Sequence, residues 1–394
     1  MKKVILFFST IFFLVSGIYA QKDIRTNATR IADILAQLPA QNAESLNAAM
    51  TEMEGLGEAG LVELSRQMVP FGKSDNSKPE YAIMGYTTYV SAPGRKSLKD
   101  IAENAWIKSL SNTTDKNLTS FFMSMLEIIG TDKSVDHLAS YLNDEVLCLK
   151  AAPVLASIGT AKAGKTLVVA LRSGNKTSKT AILQALGYMR YTPGLDDINK
   201  YVLNGDATEK ETALYALVRI SNPSSESVLR KATQKNGKYF ENLSVTSMYG
   251  DFIHNLFNNG HKKEAIGFAS SFMKYAANGN QFAKIAALKA LVLTQKEGAL
   301  KALSTAAYSK NSEYRGAALM LANPMVNRSN ISLFSKNLAN ATPDVQTSLV
   351  AFLGDHRDRG SLKTIIKLAR ESKNEDLKQA SIIAMTKIGG NTIT

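Results

Sequence analysis

An apolar residue that ends a helical stripe recurs along this chain at near-constant spacing, and no other feature constrains the fold as strongly. The series is Leu126, Leu155, Leu186, Leu217, Leu256, Leu291, Leu321, Leu353 and Met385, with separations of 29, 31, 31, 39, 35, 30, 32 and 32 residues. Twelve residues beyond each of the first eight stands another apolar side chain: Leu138, Leu167, Ile198, Leu229, Phe268, Leu303, Leu333 and Ile365. A period near thirty residues, holding an apolar helix, a turn and a second apolar helix, describes a helical hairpin that must stack on its neighbours to bury its apolar face. The spacing predicts an all-α chain, a right-handed α-solenoid of about eight or nine such hairpins.

Within one unit the register is explicit. In the stretch 212–220, Ala213, Ala216, Leu217 and Ile220 share one helical stripe. Asn222 and Pro223 then end the helix, and Ser224 or Ser225 is placed to cap the next. The equivalent turns hold Gly130, Gly159, Gly187 and Gly354, where glycine accepts the left-handed conformation at little cost. The regular repeats are expected over 117–237 and 281–394, with the last one incomplete. Residues 238–280 interrupt them with a bulkier hairpin carrying Phe252, Phe257, Phe268 and Phe272. Residues 21–116 are helical in pattern without the repeat. They read as an irregular N-terminal cap, the usual condition of a terminal solenoid unit.

The chain begins with Lys2 and Lys3, then an apolar run from Val4 to Val15, then Ser16-Gly17-Ile18-Tyr19-Ala20. This is the form of a secretory signal over 1–20 cleaved after Ala20, the alternative being an uncleaved anchor. No later apolar run is long enough to span a bilayer, so no transmembrane segment is expected after cleavage. The single cysteine, Cys148, excludes an intramolecular disulfide, which suits a bacterial periplasmic or secreted protein. Lys and Arg number 47 against 34 Asp and Glu. Seven basic residues and no acidic one lie between Glu145 and Asp196; Arg315, Arg328 and Lys336 stand likewise alone between Glu313 and Asp344. Export argues against nucleic acid as the partner of that charge. Two readings remain: an anionic glycan or lipid surface, or a generally cationic solvated face.

Several segments invite a catalytic reading and each has a plainer one. Residues 159–166 match the phosphate-loop pattern, but that chemistry needs a strand feeding the loop, and Val154 to Ile158 is a repeat helix. What survives is an anion held by the free amides near Lys165 and Thr166. His137, His254, His261 and His356 are scattered without metal-ligand spacing; His356, among Asp355, Arg357, Asp358 and Arg359, reads as a half-buried histidine paired with a local carboxylate. Asp144-Glu145 and Asp196-Asp197 sit where helices start, where acids complement the dipole. Tyr81, Tyr86, Tyr89 and Trp106 either fill the core of the cap or stack on sugar rings. No catalytic residue, cofactor or metal ligand is assigned.

The repeat resembles HEAT-type repeats, in the short form of phycobilisome-lyase-related proteins, on Ala185-Leu186-Gly187, Phe352-Leu353-Gly354-Asp355 and Ala216-Leu217. The signal, Tyr89-Val90-Ser91-Ala92-Pro93-Gly94-Arg95, Tyr141-Leu142-Asn143-Asp144-Glu145 and the bulky hairpin are similar to one narrower group. Those are exported bacterial proteins whose helical repeats precede a 3-keto-disaccharide hydrolase-type domain. That resemblance implies an accessory role beside a carbohydrate-processing domain, which these 394 residues do not contain.

Two functions follow as expectations. The first is a non-catalytic binding or scaffolding module. Its second helices would line a concave, partly basic surface, with Lys165, Arg172, Lys200, Arg230 and Lys231 recurring on successive second helices as candidate contacts to a protein or a glycan. The second is the accessory arm of such an enzyme. In that case the helix over 375–388, which lacks its second helix, meets a following domain or partner at the C-terminal edge.

Overall fold

The computed structural model describes residues 24–389. The signal segment, its cleavage site and the last five residues lie outside them. Among the described residues there is no β-strand, only one antiparallel bridge between Lys235 and Lys238. The chain is an all-α solenoid of stacked helical hairpins, in two compact units divided at Leu118 and Thr119. Among the described residues no helix is long and apolar enough to cross a membrane.

The first unit holds α1 (Asn27–Ala36), α2 (Ala43–Glu54), α3 (Gly57–Ser65), α4 (Ser77–Ser91) and α5 (Lys96–Ser111). Thr26 caps α1 and Asn42 caps α2, each accepting the backbone N–H three residues on. Trp106 and Tyr86 are fully buried there with Met50, Met53 and Leu61. They are core residues, while Tyr81 and Tyr89 are half-buried at its rim.

The second unit is built of paired helices. In order they are α6 (Lys116–Ile129) and α7 (Asp132–Ala139), α8 (Cys148–Ile158) and α9 (Ala161–Ser173), α10 (Lys176–Met189) and α11 (Leu195–Asn204), α12 (Ala207–Ile220) and α13 (Glu226–Ala232). Then come α14 (Leu243–Asn258) and α15 (Lys262–Ala276), α16 (Gln281–Gln295) and α17 (Leu300–Ala307), α18 (Ser312–Ala322) and α19 (Ser332–Ser335), α20 (Pro343–Asp355) and α21 (Leu362–Glu371), and α22 (Glu375–Gly389). Leu126, Leu155, Leu186, Leu217, Leu256 and Leu353 are wholly inaccessible, and so are the partners Leu138, Leu167, Ile198, Leu229, Leu303 and Ile365. Each such side chain contributes roughly 1.5–3 kcal/mol by leaving water. That sum explains why hairpins too short to be stable alone hold together as a stack.

Three expectations need correction. Leu333 is 39% exposed and Phe334 is buried in its place. After α18 the chain turns through Pro324 and a short 3-10 segment, Asn323–Met325, which shifts the register by one residue before the four-residue α19. Gly187 and Gly354 lie inside helices, not in turns. Their missing side chains admit a neighbouring helix: a Cβ on Gly187 would stand 2.8 Å from the Ala216 Cα, and one on Gly354 2.9 Å from the Ala384 Cα. Gly159 does end its helix at φ +71°, and in later repeats Arg190 (φ +53°) and Ser221 (φ +50°) carry the same left-handed conformation. Finally, Ser225 stands at the N-cap position of α13 without a side-chain cap bond, and Asn222 caps the 3-10 turn before it, accepting the Ser224 N–H at 3.0 Å.

The bulky hairpin owes its length to a connector. Between α13 and α14 the chain makes a tight turn at Asn236-Gly237 and sends Phe240, fully buried, against Phe272 (ring centroids 4.3 Å) and Tyr249 (5.3 Å).

Candidate functional site

The first helices stack directly on one another, α8 on α10 on α12. Alanines at the contacts allow this: Ala156, Ala185 and Ala216 form the floor of a groove of about 640 Å³ that crosses the exposed edges of α6, α8, α10 and α12. Its walls carry Glu127, Ser157, Gln184, Tyr188, Glu211, Tyr215 and Arg219. The groove lies on the first helices, whereas the surface expected from the sequence lies on the second.

Two aromatic side chains dominate the groove. Tyr188 is 62% exposed and Tyr215 is 53% exposed, on adjacent first helices. The Arg219 guanidinium lies over the Tyr188 ring, 5.7 Å from its centroid, a cation–π contact that joins α12 to α10. At the far wall Glu127 accepts from Lys150 Nζ at 2.7 Å and from Ser157 Oγ at 3.4 Å. Gln184, Tyr215 and Glu211 have no hydrogen-bond partner among the described residues, so the groove offers an amide, a phenol and a carboxylate to an incoming ligand. This constellation has almost no signature in the sequence. Its only trace is positional: Tyr188 and Arg219 each stand two residues after the repeat leucine, and Tyr215 two before it.

The basic residues singled out from the sequence lie on second helices but form no open row. Arg172 on α9 donates from Nε (3.2 Å) and Nη2 (2.8 Å) to both oxygens of Asp197 on α11, and Lys200 joins the same carboxylate at 3.1 Å. Asp197 is 6% exposed; the Arg172 hydrogen bonds, ahead of Lys200, hold its carboxyl below the usual carboxylate range. Arg230 donates to Glu226 at 2.9 Å and lies over the rings of Tyr239 and Tyr275, at 5.3 and 5.5 Å. Lys165 and Lys231 are exposed, and Lys231 lines a shallow cleft with Lys210, Leu214 and Met248.

The acid-free stretch before Asp196 shows the same economy. Lys150 pairs with Glu127, Lys162 with Asp136, Lys176 with Asp206 and Lys179 with Glu209, each across a repeat boundary. The stretch lacks acids because its counterions stand one repeat away. Its charge is a ladder between units.

The other candidates resolve into structure. Thr160 caps α9, accepting the Ala163 N–H at 3.2 Å, so the phosphate-loop match is a capped helix start with Gly164 packed under the Tyr191 ring. The same cap, further bonded to Asp132 at 2.5 Å, occupies the helix end where an anion beside Lys165 was expected. His356 meets Asn323 Oδ1 at 3.0 Å and the Phe352 ring at 4.5 Å; its partner is an amide, not a carboxylate. Among the described residues no group of His, Cys, Asp or Glu could hold a metal ion.

No protein-family model matches the chain, and no curated protein is significantly similar to it in sequence. Several solved structures share its helical character. Human deoxyhypusine hydroxylase is 14% identical over 68% of this chain and 98% of its own, with a TM-score of 0.30. The CpcE–CpcF complex of phycocyanin lyase from Nostoc sp. gives 16%, 74%, 94% and 0.26 for the same quantities. A structure bearing on the interaction between cadherin and beta-catenin gives 13%, 93%, 95% and 0.32. None reaches 0.5, and the fold assignment above rests on the helices themselves.

Proposed function

We propose that this chain is an exported, non-catalytic binding module whose first-helix groove holds an extended polypeptide segment of a protein partner. The observation that carries this is the pair of half-exposed tyrosines on adjacent helices above a floor of alanines. Large aromatic rings left in water contribute most when a partner covers them. Packed helices lie about 8–10 Å apart, so a groove crossing four of them runs roughly 24–30 Å, the length of about eight residues of extended chain. The Gln184 amide both donates and accepts, which matches the alternating N–H and C=O groups of such a chain. Export rests on the leader-like sequence over 1–20.

Selection of peptides from a random library against the purified protein tests the reading. Selected peptides should lose at least about tenfold in affinity for Y188A/Y215A, the size of an aromatic hot-spot loss. Peptides that bind wild type and variant equally, or a protein that selects none and binds oligosaccharides instead, would overturn it.

One observation favours a second reading. On α22 Ile382 is 57% and Ile383 46% exposed. A further domain seated against that helix, of the carbohydrate-processing type to which the sequence bears a resemblance, would cover them. The intact mass of the protein from its own cells separates the two readings: a species larger by a domain supports the second.

A further inference from the structure

Lys150, Lys162, Arg172, Lys176, Lys179 and Lys387 pair with carboxylates one repeat away, whereas three arginines without such a pair stand together near the end of the second unit. Arg328, Arg357 and Arg359 line one cleft of about 640 Å³, between the loops that follow α18 and α20 and the end of α22. All three are exposed, and none of their side chains has a hydrogen bond or ion pair among the described residues. Of the acids nearest in sequence, Asp355 is paired with a lysine, and Asp358 itself lines the cleft, its Oδ2 buried without a hydrogen-bond partner. Asp355 receives Lys387 Nζ at 2.6 Å, and Asp358 Oδ1 accepts the Gly360 N–H at 3.1 Å, capping the turn before α21. Lys387, His356 and Thr386 complete the polar lining; the His356 ring is tied to Asn323 and the Thr386 hydroxyl to the Ile383 carbonyl.

The backbone also bears on the arrangement. Arg357 occupies the left-handed position at φ +53°, where glycine stands in the α8–α9 turn at φ +71°. A side chain there costs on the order of 1 kcal/mol, and this position carries a guanidinium aimed at no internal carboxylate. Three unpaired guanidiniums facing one carboxylate leave the cleft positive. Planar guanidinium groups suit the paired oxygens of a multiply charged anion.

We infer that this cleft is a binding site for a multiply charged oxyanion, a phosphate or sulfate group held by Arg328, Arg357 and Arg359. It is separate from the tyrosine groove and stands whether or not that groove binds peptide. Titration calorimetry at constant ionic strength, with sodium sulfate and inorganic phosphate against an acetate control, tests it. Sulfate or phosphate should bind with a Kd in the millimolar range or tighter, acetate much more weakly. R357Q/R359Q should weaken binding by at least about tenfold, while K165Q, an exposed cation elsewhere, should leave it unchanged. Because the arginines are exposed, both variants should fold. Sulfate should raise the thermal midpoint of wild type and of K165Q, but not of R357Q/R359Q. Equal binding by R357Q/R359Q and wild type, or no preference for the divalent anions over acetate, would overturn the assignment. Of two sources of the anion, a free phosphate would compete in solution alone. A phosphate borne on a lipid headgroup would also bring the protein down with phosphatidylinositol phosphate vesicles.

Discussion

Gly187 on α10 and Ala216 on α12 meet so closely that a side chain on the glycine would stand 2.8 Å from the alanine Cα. Gly354 on α20 and Ala384 on α22 repeat the arrangement. Backbone contact of this kind sets the separation of the first helices, and the groove that carries Tyr188 and Tyr215 depends on that separation.

Gly187→Ala therefore sets two effects against each other. Alanine gains about 1 kcal/mol of helix propensity, while forcing a Cβ into a closed contact costs typically 1–3 kcal/mol. The net should be destabilising, read as a lower thermal midpoint. Gly267→Ala is the control: that glycine is exposed on α15 with open space around it, so the midpoint should rise.

The Arg172–Asp197 pair predicts an acid limb. Asp197 has a folded pKa below its ordinary value, so its contribution is full above that ordinary value and is lost as pH falls through the folded pKa. Asp197→Asn should cost about 2 kcal/mol at neutral pH, the scale of hydrogen bonds to a charged group. It should also flatten the decline of stability below about pH 4, near the ordinary carboxylate pKa. Chemical denaturation at pH 7 and across the acid range measures both.

Two buried tyrosines predict an alkaline limb. Burial pushes the Tyr86 phenol up to about 12, with Glu54 and Tyr89 adding to the shift. Tyr249 moves the same way through burial and its hydrogen bond to Glu226. A raised pKa means stability that is complete below the ordinary tyrosine value and lost as pH rises through the folded one. In an absorbance titration at alkaline pH these two should ionise last of the 14 tyrosines, and Y86F/Y249F should lose that final phase.

Arg315 is 6% exposed, yet its hydrogen bonds reach carbonyls and a hydroxyl: Ser309 O at 2.8 Å, Lys310 O at 3.4 Å and Ser348 Oγ at 2.9 Å. It ties the turn after α17 to α20. Arg315→Leu should cost about 2–3 kcal/mol by stranding those acceptors, and Arg315→Lys should recover only part, because one ammonium cannot reach both sides.

How much of this was legible in the sequence follows from the range over which each feature acts. Leu155, Leu167 and their counterparts could be read because helical periodicity and a fixed twelve-residue offset are local. Phe334 displaced Leu333 because a turn altered by Pro324 carries no signal of its register. Asp197 looked like a helix-start acid, and so it is. Lys200 is only three residues further along the same helix, but the pairing with Arg172, 25 positions earlier, depends on the chain folding back. The tyrosine groove was least legible: Tyr188, Tyr215 and Arg219 occupy ordinary outward positions on separate helices and become one surface only when the repeats stack.

In the proposed function the first helices, not the second, present the binding surface. Photo-crosslinking in the producing cells tests it directly, with benzoylphenylalanine in place of Gln184 in the groove and, separately, in place of Lys165 on α9. The account predicts a crosslinked polypeptide from position 184, abolished by Y188A/Y215A, and none from position 165. A crosslink from 165 alone would place the binding surface on the second helices and contradict it.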